Sequence, residues 1–109
     1  MAMTPERKVK KKVADYLRSI GAYFFYPATG GYGRSGVPDI VGCYKGKFFG
    51  IECKAGSNKP PELQKNELKQ IAQAGGIATV TNEDTIHSLQ YILNSLPEPD
   101  PNQLEFDFD

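Results

Sequence analysis

The sequence predicts an α/β fold in which helices flank a mixed sheet, with elements in the order α-β-β-β-α-β-α. Two observations predict this class. Amphipathic runs at helical spacing alternate with short apolar runs of strand length. One strand pair, roughly 39–44 with 47–54, is apolar on both faces except at one charged end, which requires helices on both sides of the sheet. We expect most of the six tyrosines and six phenylalanines to lie in the core.

The first helix has a clear start. Thr4-Pro5-Glu6 supplies an N-cap hydroxyl, a proline at the first helical position and an acid near the positive end of the helix dipole. Gly21 ends this helix, and a short aromatic strand follows at 22–26. Residues 29–36 (TGGYGRSG) contain too much glycine for a regular element and predict a mobile loop.

The second half of the domain repeats the alternation. Pro60-Pro61 opens a second helix that Gly75-Gly76 closes, residues 77–81 form a fourth strand, and Asn82-Glu83-Asp84 starts a last helix. The domain therefore covers residues 1–95, and the acidic, proline-rich residues 96–109 predict a flexible tail. The apolar positions of these two helices are Leu68, Ile71, Ala72, Ile86, Leu89, Ile92 and Leu93.

The formal net charge of zero conceals a strong asymmetry. Residues 1–94 carry all 13 Lys and Arg against 8 carboxylates, a formal charge of +5, and the five acids of the tail carry −5. A basic body with an acidic appendage indicates a polyanion binder. The sequence has no apolar run near the ~18 residues of a membrane span and no signal-peptide pattern. We therefore expect a soluble, cytoplasmic protein of a bacterial or phage-infected cell.

The two cysteines are not expected to form a disulfide. In the proposed hairpin Cys43 and Cys53 point to opposite faces, and side chains on opposite faces cannot bridge. Free thiols in a reducing compartment are the better interpretation. Two cysteines and one histidine are also too few ligands for a structural zinc site.

The hairpin predicts the chemistry. If Lys45 and Gly46 are the central residues of a two-residue turn, Asp39 falls directly opposite Glu52, with Cβ atoms only ~5 Å apart. Like charges at that spacing are destabilising, and a divalent cation is the usual neutralising partner. Lys54 lies two residues beyond Glu52 and shares its face. Two acids and a lysine at one spot indicate a metal-dependent phosphodiesterase site.

These motifs resemble a known nuclease superfamily. Gly36-Val37-Pro38-Asp39, Gly50-Ile51-Glu52-Cys53-Lys54 and Gln64, with Glu6 in the first helix, are similar to the PD-(D/E)XK nucleases, and within them to the small stand-alone virus-type replication-repair nucleases (VRR-NUC) typical of phages. The resemblance spans residues 4–94. It implies a restriction-endonuclease-like αβββαβ core with one further C-terminal helix, and a DNA endonuclease that uses Mg²⁺ or Mn²⁺.

The resemblance also implies roles for individual residues. Asp39 and Glu52, helped by the backbone carbonyl of Cys53, would hold the metal. Lys54 would position or deprotonate the attacking water, or stabilise the charge that develops on the phosphorane. Gln64 would hold Lys54 and a phosphate in register. Glu6 would complete the ligand or water shell, although a position at a helix N-terminus is by itself explained by the dipole.

The substrate is less constrained than the chemistry. No base-reading motif is present, so we expect phosphate contacts with little sequence preference, and a homodimer acting on branched or junction DNA, as in the resolvases that the family resembles. A DNA-binding module without catalysis and a nuclease acting on RNA are the alternatives. The candidate backbone contacts are Lys8, Lys11, Tyr32, Arg34, Lys45, Lys47 and Lys59.

The end of the tail has its own pattern. Residues 103–108 (QLEFDF) alternate apolar side chains after a glutamine, similar to the short peptides with which bacterial replication proteins bind the sliding clamp. Two other interpretations stay open. The tail could pack on its own domain, or its charge could mimic DNA and mask the basic body.

Overall fold

The computed structural model describes residues 3–28 and 33–100. Within them the elements follow the predicted order, and the predicted α/β class is confirmed. The aromatic strand is shorter than expected, since only three residues pair with the neighbouring strand. The elements are α1 (Pro5–Ser19), β1 (Tyr23–Phe25), β2 (Ile40–Tyr44), β3 (Lys47–Cys53), α2 (Glu62–Gln73), β4 (Ile77–Thr81) and α3 (Ile86–Asn94).

The strands form one mixed sheet in the order β1-β2-β3-β4. β2 is antiparallel to both β1 and β3, whereas β4 runs parallel to β3. Lys45 and Gly46 both have positive φ, of 50° and 81°, as the tight turn between β2 and β3 requires. Tyr44 therefore pairs with Lys47, and this register confirms the predicted hairpin.

The core lies between one face of the sheet and the helices α1 and α3. Thr4 caps α1 as predicted, because its Oγ1 accepts the Arg7 N–H at 3.2 Å. Cys53 points into this core and is buried, whereas Cys43 is exposed on the other face, so the prediction of two unbridged thiols is confirmed. The buried cluster comprises Val9, Val13, Leu17, Ile40, Phe49, Ile51, Cys53, Leu89 and Leu93.

The opposite face of the sheet is covered only in part. α2 contacts β3 and β4, and no room is left for a side chain at Gly50, which lies against Ile71 and Pro38. One helix is about 10 Å wide and spans about two strands at ~4.8 Å each, so β1 and β2 extend beyond it. Tyr23 and Phe25 on β1 are consequently exposed, and Phe48 near the start of β3 is exposed beside them.

Several side chains that the sequence predicted to be buried are exposed. The expectation that most aromatic residues lie in the core fails, since Tyr23, Phe25, Tyr26, Phe48 and Tyr91 are all 46–74% exposed. Each helix touches only one sheet face, so its buried stripe is narrow. Ala72 on α2 and Ile92 on α3, both expected to be apolar contacts, are exposed for this reason. Among the described residues, no helix is long and apolar enough to cross a bilayer.

Candidate active site

The hairpin register brings the two predicted acids together. Ile40 pairs with Ile51, so the next position on each strand places Asp39 opposite Glu52. The Asp39 N–H donates to Glu52 Oε1 at 3.1 Å, and the Cys53 N–H donates to Asp39 Oδ2 at 2.9 Å. Each carboxylate is thus oriented by the backbone of the opposite strand.

Glu52 is an unusual residue for its position, because its side chain is only 1% exposed. Its Oε2 atom has no hydrogen-bond partner among the described residues. Burial and the neighbouring Asp39 carboxyl together raise the pKa of Glu52 to about 8, although Lys54 offsets part of their effect. A buried carboxylate with one unpaired oxygen is costly unless a cation or donor compensates for it.

Lys54 joins the strand to the first helix at this point. Its Nζ lies 3.4 Å from Glu6 Oε1 and 3.8 Å from Glu52 Oε2. The Lys54 side chain is 17% exposed, so its ammonium faces the site rather than bulk water. Glu6 is therefore linked to Glu52 through Lys54, a contact that the helix dipole alone does not explain.

Gln64 lies one helical turn before the buried Leu68, on the same side of α2. Its Oε1 is buried and lacks a hydrogen-bond partner within the described part of the chain. The predicted contact between Gln64 and Lys54 is not formed, since the Lys54 ammonium is placed between Glu6 and Glu52. The amide is left to meet a ligand, because a buried polar group needs a partner.

The donor set fits a hard divalent cation. Glu52 Oε2 and Gln64 Oε1 are both buried acceptors without a hydrogen-bond donor. Within residues 3–28 and 33–100, no group of three or more His, Cys, Asp and Glu side chains is arranged to hold a metal. Asp39, Glu52 and the Cys53 carbonyl therefore offer few protein ligands. This arrangement suits Mg²⁺, which keeps several waters and binds through one or two carboxylates and substrate phosphates.

A second layer of contacts that the sequence did not reveal fixes the loop after Lys54. Glu83 Oε1 accepts the Gly56 N–H at 2.7 Å, and Asn82 Nδ2 donates to the Gly56 carbonyl at 2.9 Å. The Lys54 N–H donates to the Thr81 carbonyl at 3.0 Å. The only sequence signal was the cluster Asn82-Glu83-Asp84, which helix capping already explained.

The predicted phosphate-binding residues are not gathered around this site. Lys45 and Lys47 lie at the turn of the hairpin, about 15 Å from the acid pair. Lys45 Nζ lies 2.8 Å from Glu98 Oε1, which raises its pKa, and Lys47 Nζ donates to the Gly75 carbonyl at 3.1 Å. The turn is thus in contact with the start of the acidic segment.

The other predicted contacts divide into paired and unpaired residues. Arg34 Nε lies 2.7 Å from Glu67 Oε1, and Arg34 Nη2 donates to Gln70 Oε1. Lys11 Nζ lies 2.7 Å from Asp15 Oδ2. Lys8 and Lys59 are exposed. Tyr32 and residues 103–108, which resemble a sliding-clamp-binding peptide, lie outside the described residues.

The fold and the site define a class. The antiparallel hairpin that sets Asp39 opposite Glu52, with Lys54 two residues on, has the arrangement expected of a PD-(D/E)XK nuclease. Comparison with known proteins agrees with this class. Residues 6–79 match the archaeal Holliday junction resolvase (Hjc) family, and the chain belongs to that nuclease family.

Two individual proteins are similar along most of the chain. The candidate nuclease p44 of Acyrthosiphon pisum secondary endosymbiont phage 1 is 31% identical over 97 residues, which cover 86% of this chain and all of p44. The solved structure of a VRR_NUC domain protein matches with a TM-score of 0.70 at 19% identity, covering 91% of this chain and 95% of that one. The second match shows the shared fold, and together with the first it confirms the resemblance to small VRR-NUC nucleases of phage type.

Proposed function

We propose that this nuclease is a Mg²⁺- or Mn²⁺-dependent endonuclease that hydrolyses phosphodiester bonds in branched DNA. The observation that supports metal dependence is Glu52, which is buried beside a second carboxylate and whose Oε2 accepts no hydrogen bond from the described residues. A bound cation would neutralise both acids and would offset the repulsion between them.

The residues of the chain divide the work. Asp39, Glu52 and the Cys53 carbonyl would hold the metal, which when bound supplies Lewis acidity towards the phosphoryl group. Lys54, held by Glu6, directs its ammonium protons at the attacking water or at an oxygen that gains charge in the transition state. Gln64 offers its amide to a substrate phosphate.

Branched DNA and a homodimer are supported by the family. The relatives in the matched family are described as Holliday junction resolvases, and a four-way junction is cut on two strands related by symmetry. The exposed apolar face formed by Tyr23, Phe25 and Phe48 is a suitable surface for a second copy, because monomeric proteins seldom leave such a patch uncovered. We place the activity in the cytoplasm of a bacterial or phage-infected cell, in line with the phage relative.

Cleavage of a substrate panel tests the proposal. Wild-type protein with Mn²⁺ should cut a four-way junction in preference to matched linear duplex, and Asp39→Asn should lower the rate about a thousandfold or more because the metal loses a ligand. Glu62→Gln is the control, since it removes a carboxylate that is exposed on the first turn of α2.

Two results would contradict this function. One is intact DNA of every form after incubation of folded wild-type protein with Mn²⁺. The other is an Asp39→Asn protein that cuts as fast as wild type. DNA binding without any cleavage, unchanged by metal or by Asp39→Asn, would instead favour a module that binds DNA and does not cut it.

A further inference from the structure

A basic groove lies between α1 and the end of β1, beside the acid pair but separate from it. It encloses about 500 Å³. Tyr26, which follows β1, forms the wall opposite α1. Four cations and one carboxylate line the α1 side: Arg7, Lys10, Lys11, Arg18 and Asp15. The carboxylate pairs with two of these cations, so the groove keeps an excess of positive charge.

Two aromatic rings lie along this groove, each below a cation. Lys10 Nζ is 4.6 Å from the centroid of the Tyr26 ring, and Arg18 Cζ is 5.4 Å from that of Phe24. The two rings meet edge to face with centroids 6.1 Å apart. Tyr26 is 46% exposed. Lys10 has no carboxylate partner among the residues that the structure describes, so its ammonium is available to a ligand.

The groove begins next to the catalytic site. Lys10 lies one helical turn after Glu6, about 6 Å along the axis, and the Glu6 carboxylate contacts Lys54. Phe25 pairs with Val41, so Tyr26 lies towards the end of the sheet that carries Asp39. From Lys10 to the second cation–ring pair at Arg18 the groove follows α1 for about 12 Å.

A purely structural role explains this arrangement less well. The cation–ring pairs could hold α1 on the sheet, but exposed pairs change an equilibrium only about two- to fivefold. Val13 and Leu17 are completely buried and already anchor the helix. An unpaired base stacked on an aromatic ring changes binding about 5- to 150-fold. A base can therefore displace the Lys10 ammonium from the Tyr26 ring, and the released ammonium can bind a phosphate.

We propose that this groove binds an unpaired DNA strand of the substrate, with a base stacked on Tyr26 and phosphates on Lys10 and Arg18. The proposal rests on the proposed DNA substrate and concerns branches that carry a single-stranded arm, because the arms of an intact four-way junction are fully paired. Bases within a duplex are stacked on each other and offer no free face to Tyr26. A branch point with an open arm does offer one, and the groove would guide that arm away from the scissile phosphate.

The binding of a fluorescent 12-nucleotide oligo(dT), followed by anisotropy in EDTA, tests the proposal without catalysis. Tyr26→Leu should weaken binding about tenfold, whereas Tyr26→Phe should stay within about twofold because the ring remains. Lys10→Gln should reduce the slope of log K against log salt by about 0.7. The matched controls are Tyr91→Leu, at an exposed tyrosine of α3, and Lys12→Gln, at an exposed lysine of α1 outside the groove.

The outcomes separate this proposal from the proposed catalysis. A folded Tyr26→Leu protein that binds the oligonucleotide as tightly as wild type overturns it. The proposal is also overturned if Tyr26→Leu loses as much affinity for a 12-base-pair duplex as for the oligonucleotide. It is overturned as well if Tyr26→Phe binds the oligonucleotide as weakly as Tyr26→Leu does. A wild-type protein that binds the oligonucleotide through Tyr26 but cuts no DNA with Mn²⁺ would contradict only the proposed function.

Discussion

At the scale of single residues, Glu52 is energetically costly to fold, because its carboxyl group is buried and its Oε2 accepts no hydrogen bond from the described residues. The sequence predicted that Asp39 and Glu52 meet, because a two-residue turn fixes which residues face each other. It did not predict that Glu52 would be almost completely buried, since burial depends on α2 and α1 closing over the end of the hairpin. The roles of Glu6 and Gln64 were implied by the resemblance to PD-(D/E)XK nucleases, whereas nothing in the sequence indicated that the buried Gln64 Oε1 would lack a hydrogen-bond partner among the described residues.

The pKa of Glu52 gives a prediction about stability. The folded protein holds this proton up to about pH 8, but the unfolded chain releases it near pH 4.5. Between those values the folded state binds more protons, so metal-free stability falls as the pH rises. Glu52→Gln removes the ionisation, and its thermal midpoint in EDTA should exceed that of wild type by about 5 °C or more at pH 9. Near pH 4.5 the gap should be small.

Calorimetry at several pH values, with and without Mn²⁺, provides the measurement. Mn²⁺ should raise the wild-type midpoint at pH 9 and should have little effect on Glu52→Gln, because binding to the folded state alone stabilises it. Glu62→Gln, at an exposed acid, should follow wild type throughout. A wild-type midpoint that stays level or rises from pH 5 to pH 9 in EDTA would show that Glu52 ionises normally.

At the scale of elements, local rules predicted the start of α1 and the hairpin, whereas α3 begins at Ile86, beyond the predicted start at Asn82-Glu83-Asp84. The N-cap residue Thr4 and the turn residues Lys45-Gly46 can be recognised from the local sequence alone. The exposed faces of β1 and β2 follow from the width of a single helix, which no local pattern contains. The Glu83 contact also needed the position of β4 beside β3, and a sequence does not give strand order.

The hydrogen bond from the Gly56 N–H to Glu83 Oε1 leads to a prediction for the loop after Lys54. Glu83→Ala removes the acceptor of the Gly56 N–H, so this amide should exchange hydrogen faster and kcat should fall several-fold, up to about tenfold, with little change in KM. Glu83→Gln keeps a carbonyl oxygen at the same place and should restore both values. Asp84→Asn changes the neighbouring charge and serves as the control. Unaltered exchange at Gly56 in Glu83→Ala would remove the basis of this prediction.

At the scale of the whole molecule, the uncovered apolar face predicts self-association. Phe25→Glu places a charge on the face formed by Tyr23, Phe25 and Phe48, and should convert the proposed homodimer to monomer in light scattering. Ile92→Glu, at an exposed apolar position on α3, is the matched control and should leave the dimer intact. A wild-type protein that is monomeric at micromolar concentration would contradict the dimer.

The burial of Glu52 also has a consequence for how this protein would change under selection. An active site often holds groups that lower stability, so replacing them can stabilise a fold while its activity is lost. The metal-free fold of this protein should gain stability in this way when the Glu52 carboxylate is replaced. A library selected only for survival at high temperature in a chelator should therefore accumulate neutral residues at position 52, and the lineage would lose its nuclease while its fold became more robust.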